Sequence, residues 1–137
     1  MKTFKISPHT ADVRLELSAS NLEKLFCVAI EGMAEIIKPG CCSSPKTQIT
    51  QELAVQSMDT TTLLIDFMSD VLAQTHINKA IFCKAIFHEL TEKSLRATIF
   101  GQPVESFDED IKAVTYHEAE VVKNAQGNYE TMIVFDI

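Results

Sequence analysis

Hydrophobic and polar positions change their period along the chain, and the changes mark out strands and helices. Residues 3–7 (Thr-Phe-Lys-Ile-Ser) alternate and predict a short first strand that Pro8 ends or bends. Val13-Arg14-Leu15-Glu16-Leu17 alternates cleanly and predicts a half-buried strand. The period then becomes helical. Leu22, Leu25, Phe26, Ala29, Met33, Ile36 and Ile37 fall on one stripe, with Ser20 and Glu23 as a capping box and Pro39-Gly40 as the stop.

A loop follows at 41–45, then a weakly patterned strand over 47–55. Asp59 is placed to cap a second helix, in which Leu63, Leu64, Phe67, Met68, Val71 and Leu72 share a face; its end is expected near Thr75. From Ala80 the pattern predicts strands at 81–90 and 95–100 joined by a turn at 91–94, then a polar loop over 101–110. A long strand over 110–122, a Gly-containing turn at 124–128 and a closing strand over 130–137 complete the reading. Two helices among six to seven strands joined by short turns predict an α+β fold. The expected form is one mostly antiparallel sheet with both helices packed on one face, in a single domain spanning residues 1–137.

Composition narrows the function. Nineteen acidic against 12 basic residues give a net charge of −7, which argues against a broad phosphate-binding surface. It leaves room for a protein partner that itself carries nucleic acid. No apolar run reaches the length of a membrane span and Met1-Lys2-Thr3 opens no signal-peptide segment, so the expected compartment is the cytoplasm. In that setting no disulfide framework is expected among Cys27, Cys41, Cys42 and Cys83, and Cys27 and Cys83 sit within apolar patterns where a reduced Cys behaves as a small hydrophobe.

Candidate chemistry gathers near the two ends. Pro8-His9-Thr10-Ala11-Asp12 places an imidazole, a hydroxyl and a carboxylate just before a strand; Asp12 there faces either a pocket or solvent. Asp136 follows the apolar run Met132-Ile133-Val134-Phe135, so its strand is expected to be buried and its carboxylate to need a donor, a cation or a metal. Carboxylates without a Cys or His ligand spacing suit hard divalent cations such as Ca²⁺, Mg²⁺ or Mn²⁺ rather than zinc. Lys112, Val114 and Tyr116 share one face of a predicted strand, with Ala113, Thr115 and His117 on the other; Lys112 reads as a snorkelling surface residue or as a cation for a carboxylate or phosphate. No GxGxxG or GxxxxGK[ST] loop occurs.

Taken in order, His9-Thr10-Ala11-Asp12-Val13, Asn21-Leu22-Glu23-Lys24-Leu25-Phe26, Gly32-Met33, Ile111-Lys112-Ala113-Val114-Thr115-Tyr116-His117 and the ending Val134-Phe135-Asp136-Ile137 resemble the archease family over nearly the whole chain. The resemblance implies an α+β fold of strand-helix-strand-strand units and a non-enzymatic role. Its expected partner is an RtcB-type RNA ligase of tRNA splicing, whose guanylylation and multiple turnover it would promote, without direct nucleic-acid binding. It implies a metal site at Asp12, Asp136 and the terminal carboxylate of Ile137. His9, Asp70, Lys112 and His117 are further candidates for lining the site or contacting the partner. Ser7-Pro8 before the first His, Glu105 where relatives commonly carry a His, and a short 101–110 loop depart from the family pattern. Two other readings stay open: a metal-dependent phosphoester hydrolase or phosphotransferase using Asp12, Lys112 and His117, and a small-molecule-binding domain with a pocket away from Asp12.

Overall fold

The alternating segments at the two ends of the sequence pair with each other. In the computed structural model, which describes residues 2–8, 12–43 and 47–137, β1 (Lys2–Pro8) lies antiparallel to β2 (Asp12–Ala19), and β2 lies antiparallel to the last strand, Tyr129–Asp136. Val13, Leu15, Leu17 and Ala19 are buried while the residues between them are not, which is the period-2 signature of a sheet with one core face.

Helix α1 (Leu22–Ile37) starts one residue later than the capping box implied. Asn21, not Ser20, is the N-cap, and its Oδ1 accepts the Lys24 N–H at 2.8 Å. After a 3-10 turn (Cys41–Ser43), β3 (Ile49–Gln56) leads into α2 (Thr60–Asn78). Asp59 caps α2 as expected, accepting from the Thr62 N–H at 2.7 Å. The helix runs past Thr75 to Asn78 and closes on Lys79 in the left-handed region.

Strands β4 (Ala80–Leu90) and β5 (Ser94–Pro103) form the expected hairpin. β5 continues through Gly101, which the polar composition assigns to a loop. The long strand expected over 110–122 is only two short pieces, β6 (Ala113–Thr115) and β7 (Val122–Lys123), both paired with β8 (Tyr129–Asp136). The chain leaves the ladder after Thr115 and turns at Glu118, where φ is 57°.

The fold is α+β with antiparallel pairing throughout, and the described strands divide between two sheets instead of forming one. The first has the order β1-β2-β8-β6 with β7 also on β8; the second has the order β3-β5-β4. Both helices touch strands of both sheets, so one core is shared. Phe26 and Phe67 are fully buried in it and the half-buried Phe87 packs against both, with ring centroids 5.5–6.0 Å apart.

Candidate functional site

Strand register brings the two ends of the sequence to one place. Asp12 stands directly opposite Asp136 across the β2–β8 ladder, and Ala113 stands opposite Asp136 on the β6 side. Directly opposed residues project to the same face, with Cα atoms about 4.5–5.5 Å apart. Val13 and Phe135 fill the core, so Asp12 and Asp136 emerge side by side on the outer face. The Lys112 N–H extends the ladder by donating to the Asp136 carbonyl at 2.7 Å, and Ile137 follows directly, half-buried. The expectation of a buried Asp136 is corrected. Its strand is buried, but one residue past Phe135 the side chain turns to the outer face and is exposed.

Two further residues complete this corner. Arg14 Nε lies 3.8 Å from Asp12 Oδ1, and Arg14 Nη1 donates to Glu118 Oε2. His117 Nε2 is 3.6 Å from Glu118 Oε1, so His117 joins the corner through Glu118. Among the described residues, Asp12 Oδ1 and Arg14 Nε are both buried without a hydrogen-bond partner. An orphaned carboxylate oxygen beside a second carboxylate fits an oxygen-ligated hard cation. No group of three or more His, Cys, Asp or Glu side chains converges on a metal position among the described residues; the expected set holds only two such side chains, its third oxygen donor being main-chain.

Lys112, whose N–H joins the ladder at Asp136, borders a groove of about 310 Å³ formed with Ser69, Leu72, Ala73 and His76 of α2. Asp70 sits on α2, where burial and then the nearby Asp66 charge push its carboxyl above the usual range. Asp66 accepts the Tyr116 hydroxyl and, at 2.6 Å, the Ser57 hydroxyl. That bond to a carboxylate pushes the Tyr116 phenol up. His9 lies outside the described residues.

Sequence reasoning missed Arg14 and Glu118. Arg14 had a signal, because it stands two residues after Asp12 on an alternating strand and so shares its face. Glu118 had none, since a tertiary turn brings it there.

The disulfide expectation is also corrected. Cys42 and Cys83 are bonded, with Cα atoms 5.6 Å apart, while Cys27 and Cys41 are free. Composition and compartment bear on whether cysteines pair in general. They do not reveal that a turn 41 residues upstream lies against β4.

These features define a class: a small α+β domain with two helices among the described residues and antiparallel pairing, carrying a carboxylate pair where its second and last strands meet. Among the described residues no helix is long and apolar enough to cross a membrane. The chain belongs to the archease family: the model of the Archease protein family (MTH1598/TM1083) matches residues 4–137. It is 28% identical to Protein archease of Methanosarcina mazei, over 99% of this chain and 97% of that protein. With Protein archease of Pyrococcus abyssi it shares 26% identity over the full length of both. In fold it is similar to Methanobacterium thermoautotrophicum protein 1598, solved in solution, with a TM-score of 0.78 and 22% identity over 98% of each chain. It is also similar in fold to a Thermotoga maritima archease described as a possible chaperone, with a TM-score of 0.69 and 22% identity over 97% of this chain and 96% of that one.

Proposed function

We propose that this chain is a cytoplasmic, metal-binding accessory protein that activates an RtcB-type RNA ligase, promoting its guanylylation and multiple turnover without turnover of its own. The observation that carries the reading is the register of Asp12 against Asp136, with Ile137 next in the chain. Family membership and the order of motifs along the chain support the partner.

Asp12, Asp136 and the main-chain carboxylate of Ile137 would hold Ca²⁺, Mg²⁺ or Mn²⁺ through oxygen alone. When bound, such a cation supplies a fixed positive charge able to align and neutralise phosphate oxygens. The chain's own part is to hold that corner in shape. The β2–β8–β6 ladder fixes the carboxylate spacing, and Glu118 draws one end of the Arg14 guanidinium away from Asp12. The acidic balance of the chain suits a ligase with a basic, RNA-binding surface, where complementary charge speeds encounter. Preferential binding to the guanylylation-competent state of the ligase would then shift its population.

The test adds purified chain to the ligase with GTP and substrate RNA, and follows ligase guanylylation and product per ligase. Guanylylation and multiple turnover should rise, Asp12→Ala and Asp136→Ala should abolish the rise, and terbium luminescence should report the loss of cation binding in the same variants. A tag fused after Ile137 should weaken cation binding, whereas one before Met1 should not. Ligase turnover that ignores the chain altogether rejects the proposal.

A further inference from the structure

The Cys42–Cys83 disulfide forms part of the wall of an open cavity of about 500 Å³ that shares no residue with the Asp12 corner. It ties the 3-10 turn after α1 to β4. Cys83 sits at an irregularity in that strand: Phe82 pairs with Gly101 and Lys84 with Phe100, leaving Cys83 as the extra residue of a bulge. Bulges re-aim a side chain and recur beside functional sites. Here the bulge turns Cys83 to the cavity and to Cys42.

The rest of the wall is chemically mixed. Phe4, Ile81 and Phe100 supply apolar surface. Glu31 and Glu35, one helical turn apart on α1, supply two carboxylates; Glu31 is paired with Lys2 at 3.4 Å and Glu35 accepts the Gly40 N–H at 3.1 Å. Lys84 supplies an ammonium, 5.7 Å from the centre of the Phe100 ring. The neighbouring thiol of Cys41 is engaged by Gln102, whose Nε2 donates to its sulfur at 2.9 Å. Cys27 lies apart. Burial pushes its thiol up, and its sulfur contacts the Ala85 carbonyl at 3.9 Å.

We propose that Cys42–Cys83 is a thiol-exchange site whose cavity admits a small amino-acid thiol, with its ammonium toward Glu31 and Glu35 and its carboxylate toward Lys84. The thiolate attacks one cystine sulfur, the S–S bond breaks, and its electron pair leaves on the other cysteine as a thiolate. The product is a mixed disulfide on Cys42 or Cys83. A second molecule of the thiol attacks the external sulfur, releasing the small disulfide and leaving both cysteines reduced. Two electrons pass from two thiols to the cystine, and no other oxidant or reductant is needed. The reverse, with the small disulfide as oxidant, closes the bond again.

The experiment uses the full oxidised chain and three probes: L-cysteine, cysteamine, which lacks the carboxylate, and 3-mercaptopropionate, which lacks the ammonium. Exchange is stopped with acid and alkylation and mapped by peptide mass, and each rate is divided by that probe's rate with a small reference disulfide. The mixed disulfide should map to Cys42 or Cys83, with normalised cysteine exchange about fivefold faster than either analogue, the size of one partly screened charge contact. Lys84→Gln should remove the advantage over cysteamine, and the double change Glu31→Gln with Glu35→Gln the advantage over mercaptopropionate. Cys41→Ser should leave the pattern intact, with native circular dichroism as the folding control. Four outcomes overturn the proposal: adduct confined to Cys41 or Cys27, equal normalised rates for all probes, exchange only in denaturant, or reduction only by a protein dithiol.

Discussion

Gly101 stands where a central strand is pinched, and its replacement by alanine gives a sharp test of the packing. A Cβ built there would lie 2.7 Å from the Ile81 carbonyl oxygen, 2.7 Å from Phe82 Cδ1 and 3.0 Å from Phe82 Cε1. The first of these is backbone, fixed by the β4–β5 ladder, and Phe82 is buried. Neither can retreat without moving β4 at its bulge. Overpacking of this kind costs about 1–3 kcal/mol, more when backbone must shift, so roughly 3 kcal/mol applies. Alanine restricts the unfolded chain and recovers about 0.4–1 kcal/mol. The net loss is therefore about 2 kcal/mol, equivalent to roughly 6–10 °C in Tm for a domain of this size. Urea unfolding followed by circular dichroism should show a lower midpoint with an unchanged slope. Gly127→Ala is the control, because nothing lies within 4 Å of its Cβ and only its φ of +84° resists alanine, a cost of about 1–2 kcal/mol. A Gly101→Ala protein as stable as the parent would refute the claim that Ile81 and Phe82 close off this position.

The Asp70 carboxyl is raised by burial and then by Asp66, so the native state holds its proton longer than the unfolded state; its stability contribution is present at low pH and lost as pH rises through the folded pKa. Asp70→Asn should therefore raise the urea midpoint at pH 7 and flatten this decline; an unchanged pH profile counts against it. Asp59 is lowered chiefly by its bond from the Thr62 N–H, so the sign reverses: its contribution holds above the usual carboxylate value and fades as pH falls through the folded pKa. Asp59→Ala should lose that acid-side slope along with stability, while Asp59→Asn keeps the cap and loses the slope alone; a slope unchanged in both variants is the adverse result. Opening Cys42–Cys83, which closes a 41-residue separation, should lower stability by up to about 4 kcal/mol on the chain-entropy account; equal urea midpoints with and without reductant would contradict it.

The sequence was most legible where local pattern and tertiary environment agree. Asp59 with the Leu63–Leu72 stripe is α2, and Val13-Arg14-Leu15-Glu16-Leu17 is β2, because a cap and a single core face are local properties. Ser20 and Asn21 are both good caps in adjacent positions, and composition does not choose between them; the bond to Lys24 does. Gly101-Gln102-Pro103 has loop composition yet belongs to β5, because the close approach of Ile81 calls for the missing Cβ. The 110–122 segment has strand composition yet pairs for only three residues before β7, since Tyr116 is drawn to Asp66 and Glu118 to Arg14. These long-range contacts, like the pairing of Cys42 with Cys83, leave no periodic trace.

The candidate corner is built from strands far apart in sequence. Two carboxylates, Asp12 and Glu118, flank the Arg14 guanidinium, with Asp136 opposite Asp12 across the ladder and His117 beside Glu118. Had Arg14 paired squarely with Asp12, the corner would be a self-satisfied surface ion pair of small energetic consequence. Instead its Nη1 bond goes to Glu118 and its Nε stays 3.8 Å from Asp12, beyond hydrogen-bond reach, while Asp12 Oδ1 remains buried and without a hydrogen-bond partner among the described residues. A buried carboxylate oxygen left in that state is costly by itself. The Asp12 and Arg14 side chains both project from β2, two residues apart on one face, and it is the Glu118 bond that orients the guanidinium between Asp12 and Glu118. The ladder that seats Val13 and Leu15 in the core also holds Asp12 opposite Asp136 at its outer edge, and the proposed cation site rests on that pairing.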